Sequence, residues 1–163
     1  MFKIKLLILL FSFILFSSCV SNHGNKPPKK VSLDYIGGGE DGLVLKNMMT
    51  SYLQSFDILD SQSNFIISAN IRHKSNTFIT NIDNTADRFN ISSTLNIKII
   101  DNKNNCKVLE YNDFEEQFFI SAISIYYTSN NKAISKIKED NTEILTRNFI
   151  NELLRSDLIC MNE

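Results

Sequence analysis

Tryptophan is absent from this chain of 163 residues, and proline (2), histidine (2) and glycine (5) are scarce. Those scarcities remove several kinds of function. Two histidines, His23 and His73, are too few for a histidine-rich metal centre or a recognisable Ser-His-Asp grouping, and no CxxC, HExxH or phosphate-cradling glycine loop occurs. Three glycines do stand together in "IGGGED" at 36–41, but the acidic pair behind them would repel phosphate, so the segment reads as a strand-to-helix turn. No apolar run approaches the ~20 residues that a membrane-crossing helix requires. The longest, Leu6–Phe16, is about half that length.

That run has the order of a removable secretory leader: Lys3 and Lys5 first, then the apolar stretch, then Ser17 and Ser18. "FSSC" at 16–19 resembles the lipobox of bacterial lipoproteins, although Phe16 stands where leucine is usual. The resemblance implies cleavage after residue 18 and acylation of Cys19, palmitate included. Several acyl chains on one residue, each methylene contributing about 0.8 kcal/mol, make a durable anchor. The plain alternative is an ordinary leader cut near Ser18 that leaves Cys19 a free thiol. Val20 after the cysteine, and not aspartate, resembles the sorting pattern that sends lipoproteins of Gram-negative bacteria to the outer membrane. Residues 19–30 then form the lipidated N-terminus and a flexible tether, polar and stiffened by Pro27 and Pro28.

Without residues 1–18 the chain has 145 residues, enough for one domain over 31–163 with a moderate core. The leader takes two of the 17 basic residues and none of the 18 acidic ones, so 15 remain against 18, a net charge of −3. Nucleic acid is therefore excluded as a partner on charge. Cys106 and Cys160 remain, either as a disulfide between a strand connection and the C-terminal tail or as two buried or half-buried thiols.

Hydrophobic periodicity gives the element order. Val31–Ile36 alternates as a first strand, and residues 41–56 place Leu45, Met49, Tyr52 and Phe56 on one helical stripe. From Asn64 to Asn81, Phe65, Ile67, Ala69 and Ile71 fall at every second position, and "NIDNTAD" supplies turn formers for a hairpin. Residues 88–100 alternate strictly, with Phe89, Ile91, Ser93, Leu95, Ile97 and Ile99 against Asn90, Ser92, Thr94, Asn96 and Lys98. Such alternation predicts an antiparallel sheet with one polar face. A fourth strand runs from about Cys106 to Tyr126, but its apolar residues change phase: Leu109 and Tyr111, then Phe114, Phe118, Ile120 and Ala122. An irregularity near Asn112-Asp113 would reconcile the two sets. Last, Ala133, Ile137, Ile144 or Leu145, Phe149 and Leu153 follow a helical period, with Asn131 or Ser135 as caps. The fold class expected is α+β: a two-layer sandwich of a four-stranded, mainly antiparallel sheet with two helices on one face, in the order β-α-β-β-β-α.

Three features together, the lipobox-like Cys19, this element order, and the segments "NTADRFNISSTLNIKIID" and "IYYTSNNKAISKIKEDNTEILTRNFINELL", resemble the LptE-type lipopolysaccharide-assembly lipoproteins over residues 31–158. That resemblance implies an outer-membrane protein on the periplasmic side that plugs a large LptD-type β-barrel, assists its assembly and contacts lipopolysaccharide, with no catalysis and no cofactor. The family's basic residues near the second hairpin tip have no counterpart between Asn81 and Asp87; Arg72, Lys74 and Arg88 are the nearest substitutes. At the start of the last helix, Lys132, Lys136 and Lys138 are the candidates, arginine pairing with phosphate by two prongs and lysine as a point charge. His73 is expected among the polar-face residues. Glu115 and Glu116, neighbours on a strand, point to opposite faces and cannot share a substrate. The alternative function is an auxiliary lipoprotein of a phospholipid-transport system, bound to a periplasmic scaffold. A hydrolase is the third class, for which the sequence offers no catalytic grouping.

Overall fold

A computed structural model describes residues 29–79, 86–120 and 127–161. Cys19, the leader, most of the tether, the hairpin tip at 80–85 and Ala122 lie outside them. The order is β1 (Ser32–Gly37), α1 (Glu40–Ser55), β2 (Phe65–Ile79), β3 (Ala86–Asp101), β4 (Cys106–Ile120) and α2 (Tyr127–Arg155). The four strands lie side by side in chain order. β1 runs parallel to β2, as a strand-helix-strand crossover requires, whereas β2–β3 and β3–β4 are antiparallel.

Both helices pack on the same face of the sheet, so one core is shared by both layers. Leu45, Met49 and Leu53 of α1 meet Leu145, Phe149 and Leu153 of α2 above Ile67, Ile71, Leu95, Ile97 and Ile99. All of these side chains are at most 1 % exposed. The β-α-β-β-β-α sandwich expected from periodicity is therefore the one observed.

Two expectations are corrected. The phase change in β4 does not come from an irregularity at Asn112-Asp113: Tyr111, Asn112, Asp113 and Phe114 pair in unbroken register with Ile97, Asn96, Leu95 and Thr94. The register shift lies at Val108, between the pairs Ile99↔Leu109 and Ile100↔Lys107. Beyond it the strand keeps one parity, so Phe114, Phe118 and Ile120 point away from the core. The second correction concerns α2, which begins at Tyr127, so Asn131 and Ser135 are interior positions and not caps. The Tyr-Thr-Ser-Asn-Asn start has poor intrinsic helix propensity, and the apolar period becomes visible only at Ala133.

Candidate functional site

The sheet has two unlike faces, and β-strand geometry dictates them. Even-numbered residues of β2 and β3 point away from the helices. Register across the sheet aligns Arg72 with Thr94 and Phe114, Lys74 with Ser92 and Glu116, and Asn76 with Asn90 and Phe118, while Arg88 lies opposite Ile120. The outer face thus passes from cationic on β2, through amide and hydroxyl groups on β3, to aromatic and acidic on β4. Phe114, Phe118 and Ile120 are 55, 64 and 73 % exposed, well above what scattered surface side chains need to be called uncovered. Asn90 donates its amide to Glu116 across the strands.

This placement divides the basic candidates. Arg72, Lys74 and Arg88 are exposed on the outer face. Lys132, Lys136 and Lys138 ride on α2, on the other side of the sheet. Lys136 is held by Asp140 at 2.9 Å and Glu139 at 3.5 Å, and its bond to Asp140 keeps its ammonium above the ordinary lysine value. Lys138 approaches Asp41 at 3.8 Å. Two separate groups result, one per layer.

Beneath the helices lies a polar row that the sequence did not announce. His73 belongs to the core face, against expectation; its register partner is Ser93. The parity of Phe65, Ile67, Ala69 and Ile71 continues to residue 73 and carries the signal. His73 Nδ1 is 2.7 Å from Ser93 Oγ, and Nε2 is 4.0 Å from Asp41 Oδ2. Asn141 of α2 donates its amide to Ser93 Oγ at 2.9 Å and to the Ile91 carbonyl at 3.2 Å. Asp41 reaches this row because the loop before α1 is made of glycine. Gly38 has φ 119°, and a Cβ there would lie 2.7 Å from the Ile71 carbonyl oxygen. The acids Glu40 and Asp41 then occupy the first helical turn, where the positive end of the helix favours them.

A serine, a histidine and an aspartate in line invite comparison with a hydrolytic triad, but the serine end of the row is closed. Ser93 is fully buried and the His73 side chain is 1 % exposed, so no substrate carbonyl reaches the hydroxyl. Burial lowers the His73 pKa, Asp41 opposes that and Lys138 adds to it, which keeps the imidazole neutral at pH 7. Glu115 and Glu116 point to opposite faces, as two neighbours on a strand must.

A second polar anchor ties β4 to α2. Asp113 accepts hydrogen bonds from Tyr111 Oη at 2.7 Å, Asn148 Nδ2 at 3.1 Å and the Phe114 N–H at 2.9 Å. Burial alone would raise its pKa, yet these bonds together hold the carboxyl below the ordinary value, while burial and the same carboxylate push the Tyr111 phenol up. At the other end of β4, Cys106 and Cys160 are joined in a disulfide with their Cα atoms 5.6 Å apart. Next to it the Met161 N–H donates to the Lys107 carbonyl at 2.8 Å, so the C-terminal tail covers the first residues of that strand's free edge. Among the described residues no helix is long and apolar enough to cross a membrane.

No protein-family model matches the chain, and no curated protein matches it significantly. Solved structures do share its fold. A minor lipoprotein from Acinetobacter baumannii superposes with a TM-score of 0.60 at 14 % identity, over 83 % of this chain and 98 % of that one. Rare lipoprotein B from Shewanella oneidensis gives 0.56 at 4 % identity, over 76 and 97 %. An uncharacterized lipoprotein B from Nitrosomonas europaea gives 0.50 at 11 %, over 78 and 83 %. The chain is similar in fold to these three lipoproteins.

Proposed function

We propose that this protein is a lipid-anchored envelope subunit of the outer-membrane assembly kind, a non-catalytic plug of the lipopolysaccharide translocon held on the periplasmic side by an acylated Cys19. The observation that carries the reading is the outer face of the sheet. It is a broad, rigid surface of amide, hydroxyl and cationic groups on β2 and β3, which suits contact with the polar interior of an outer-membrane barrel. Two further facts support it: the lipobox-like "FSSC", and a fold shared with lipoproteins, rare lipoprotein B among them. Arg72, Lys74 and Arg88 on that face are the groups that meet lipopolysaccharide phosphates. On this reading the protein turns over no substrate; the serine and histidine of the serine-histidine-aspartate row found among the described residues are buried beneath the helices.

Purification from outer membranes tests the proposal. The intact protein brings down a large β-barrel, and Cys19→Ser releases the protein from the membrane fraction. Absence of any barrel, under conditions that preserve other barrel complexes, contradicts it.

A further inference from the structure

We infer that the end of the sandwich from which the tether leaves is itself a membrane contact, seated on the surface of the bilayer that holds the acyl chains. The inference rests on the acylated Cys19 of the proposed function and not on its barrel. Two adjacent lysines fix where the tether begins. Lys29 Nζ donates to the carbonyls of Leu153 and Leu154, each at 3.1 Å, in the last turn of α2. Those carbonyls have no partner within the helix and lie at the negative end of its dipole, so a lysine there is favoured. Lys30 Nζ donates to the Asp57 carbonyl at 2.6 Å, just past α1, and lies 3.1 Å from the Asp57 carboxylate. The chain therefore departs from the end at which both helices finish. Ten residues, 19–28, separate Cys19 from Lys29, inclusive of the cysteine. Fully extended they span about 35 Å. The opposite end of the sheet is about 40 Å away, at about 3.4 Å per residue along β2 from Ile66, the partner of Ser32, to Phe78, the partner of Arg88. The anchor thus keeps the first end against the bilayer and the far end off it.

Side chains at this end match a lipid surface. Phe56 just past α1, Leu154 in the last turn of α2, and Ile159 and Met161 on the tail beside the start of β4 are 48, 40, 69 and 50 % exposed. Leu153 and Leu158, next to two of them, pack in or against the core, so the exposed four are apolar groups that folding leaves uncovered. Held within reach of the bilayer by the tether, they meet lipid at a high effective concentration, and shallow burial among the headgroups is enough to seat them. Charge does not drive the contact: Asp57, Asp60 and Asp157 stand among Lys30, Lys103 and Arg155, so this end has no field of one sign to draw anionic lipid. A second copy is a poor occupant, because the anchors turn this end of every copy toward the same bilayer and two such ends do not face each other.

The chain has no tryptophan, so a single introduced indole reports its own surroundings. The mature acylated protein, purified from envelopes, is reconstituted into vesicles of phosphatidylethanolamine and phosphatidylcholine, the latter brominated near the acyl carbonyl. Phe56→Trp and Ile159→Trp are compared with Phe114→Trp, which lies in the outer sheet face. The expected result is about twofold quenching with a blue shift for the first two, at the shallow depth of an interfacial contact, and neither change for the third. Adding Phe56→Ser to Ile159→Trp should abolish the quenching while melting curves show the fold retained. Raised salt should leave the quenching as it is, since the contact is apolar. A parent that does not float with the vesicles overturns the anchor and the inference with it. A parent that floats while all three indoles are quenched alike, or none is, overturns the inference alone. So does quenching that salt abolishes, or that disappears when the protein is diluted in the membrane, which would assign this end to anionic lipid or to a second copy.

Discussion

Asn141 donates a hydrogen bond to Ser93 at 2.9 Å, both residues fully buried, and so joins α2 to β3 through a polar contact within a largely apolar layer. Asn141 lies on the same helical stripe as Leu145 and Phe149, so its side chain replaces a hydrophobic one at a core position. Its Oδ1 has no hydrogen-bond partner among the described residues. The contact fixes which turn of the helix sits over which residue of the strand, at some cost in stability.

Asn141→Leu should destabilise the fold by about 1–3 kcal/mol, because Ser93 Oγ and the Ile91 carbonyl lose a buried donor. Combining it with Ser93→Ala should recover part of that loss. Urea denaturation of the two single variants and the double variant measures the coupling.

Acid should weaken the fold through His73. Burial holds its folded pKa below the ordinary 6.5, so the unfolded chain binds the proton first as pH falls. The contribution of His73 is complete above about pH 6.5 and is lost as pH drops through the depressed folded value. Thermal melts across that range should show a smaller loss for His73→Gln than for the parent, and an unchanged slope would contradict this assignment. Asp113 acts in the same sense but lower, its stabilisation lost only as pH falls through its depressed carboxyl value.

Reducing the Cys106–Cys160 bond, or replacing both cysteines with serine, should lower stability by about 2–5 kcal/mol, since the bond closes a long stretch of chain. The two cysteines are 54 residues apart. Comparison of melting temperatures with and without reductant reads the effect; the serine variant should not respond.

Large side chains on the two sides of the sheet should respond very differently to truncation. Phe149→Ala removes a fully buried ring and should cost about 3–5 kcal/mol. Phe114→Ser, at a ring that is 55 % exposed on the outer face, should cost no more than about 1 kcal/mol.

Legibility followed the strength of each local signal. β3 was readable almost to the residue because its six apolar-side positions alternate without a break, and five of those six are aliphatic or aromatic. α1 was equally plain, since Leu45 and Met49 recur at helical spacing behind three glycines. The polar row was not, because its members are isolated in sequence and a histidine between Arg72 and Lys74 resembles a surface residue by type. Parity alone places it, and residue type points the other way. β4 misled for a related reason: exposed Phe114 and Phe118 imitate a core face, and the single-residue shift at Val108 leaves no mark in composition. The outer-face cations Arg72 and Lys74 could be listed from the chain, but only the folded register shows that the α2 lysines lie across the sheet from them.

The most direct test of the account is a photocrosslinking residue at Thr94 or Asn96, in the middle of the outer sheet face, with the protein expressed in its own envelope. The plug reading predicts an adduct with a large outer-membrane β-barrel, mapping to side chains of its lumen. An adduct with a soluble periplasmic protein alone, or no adduct while the protein resides in the outer membrane, would contradict it.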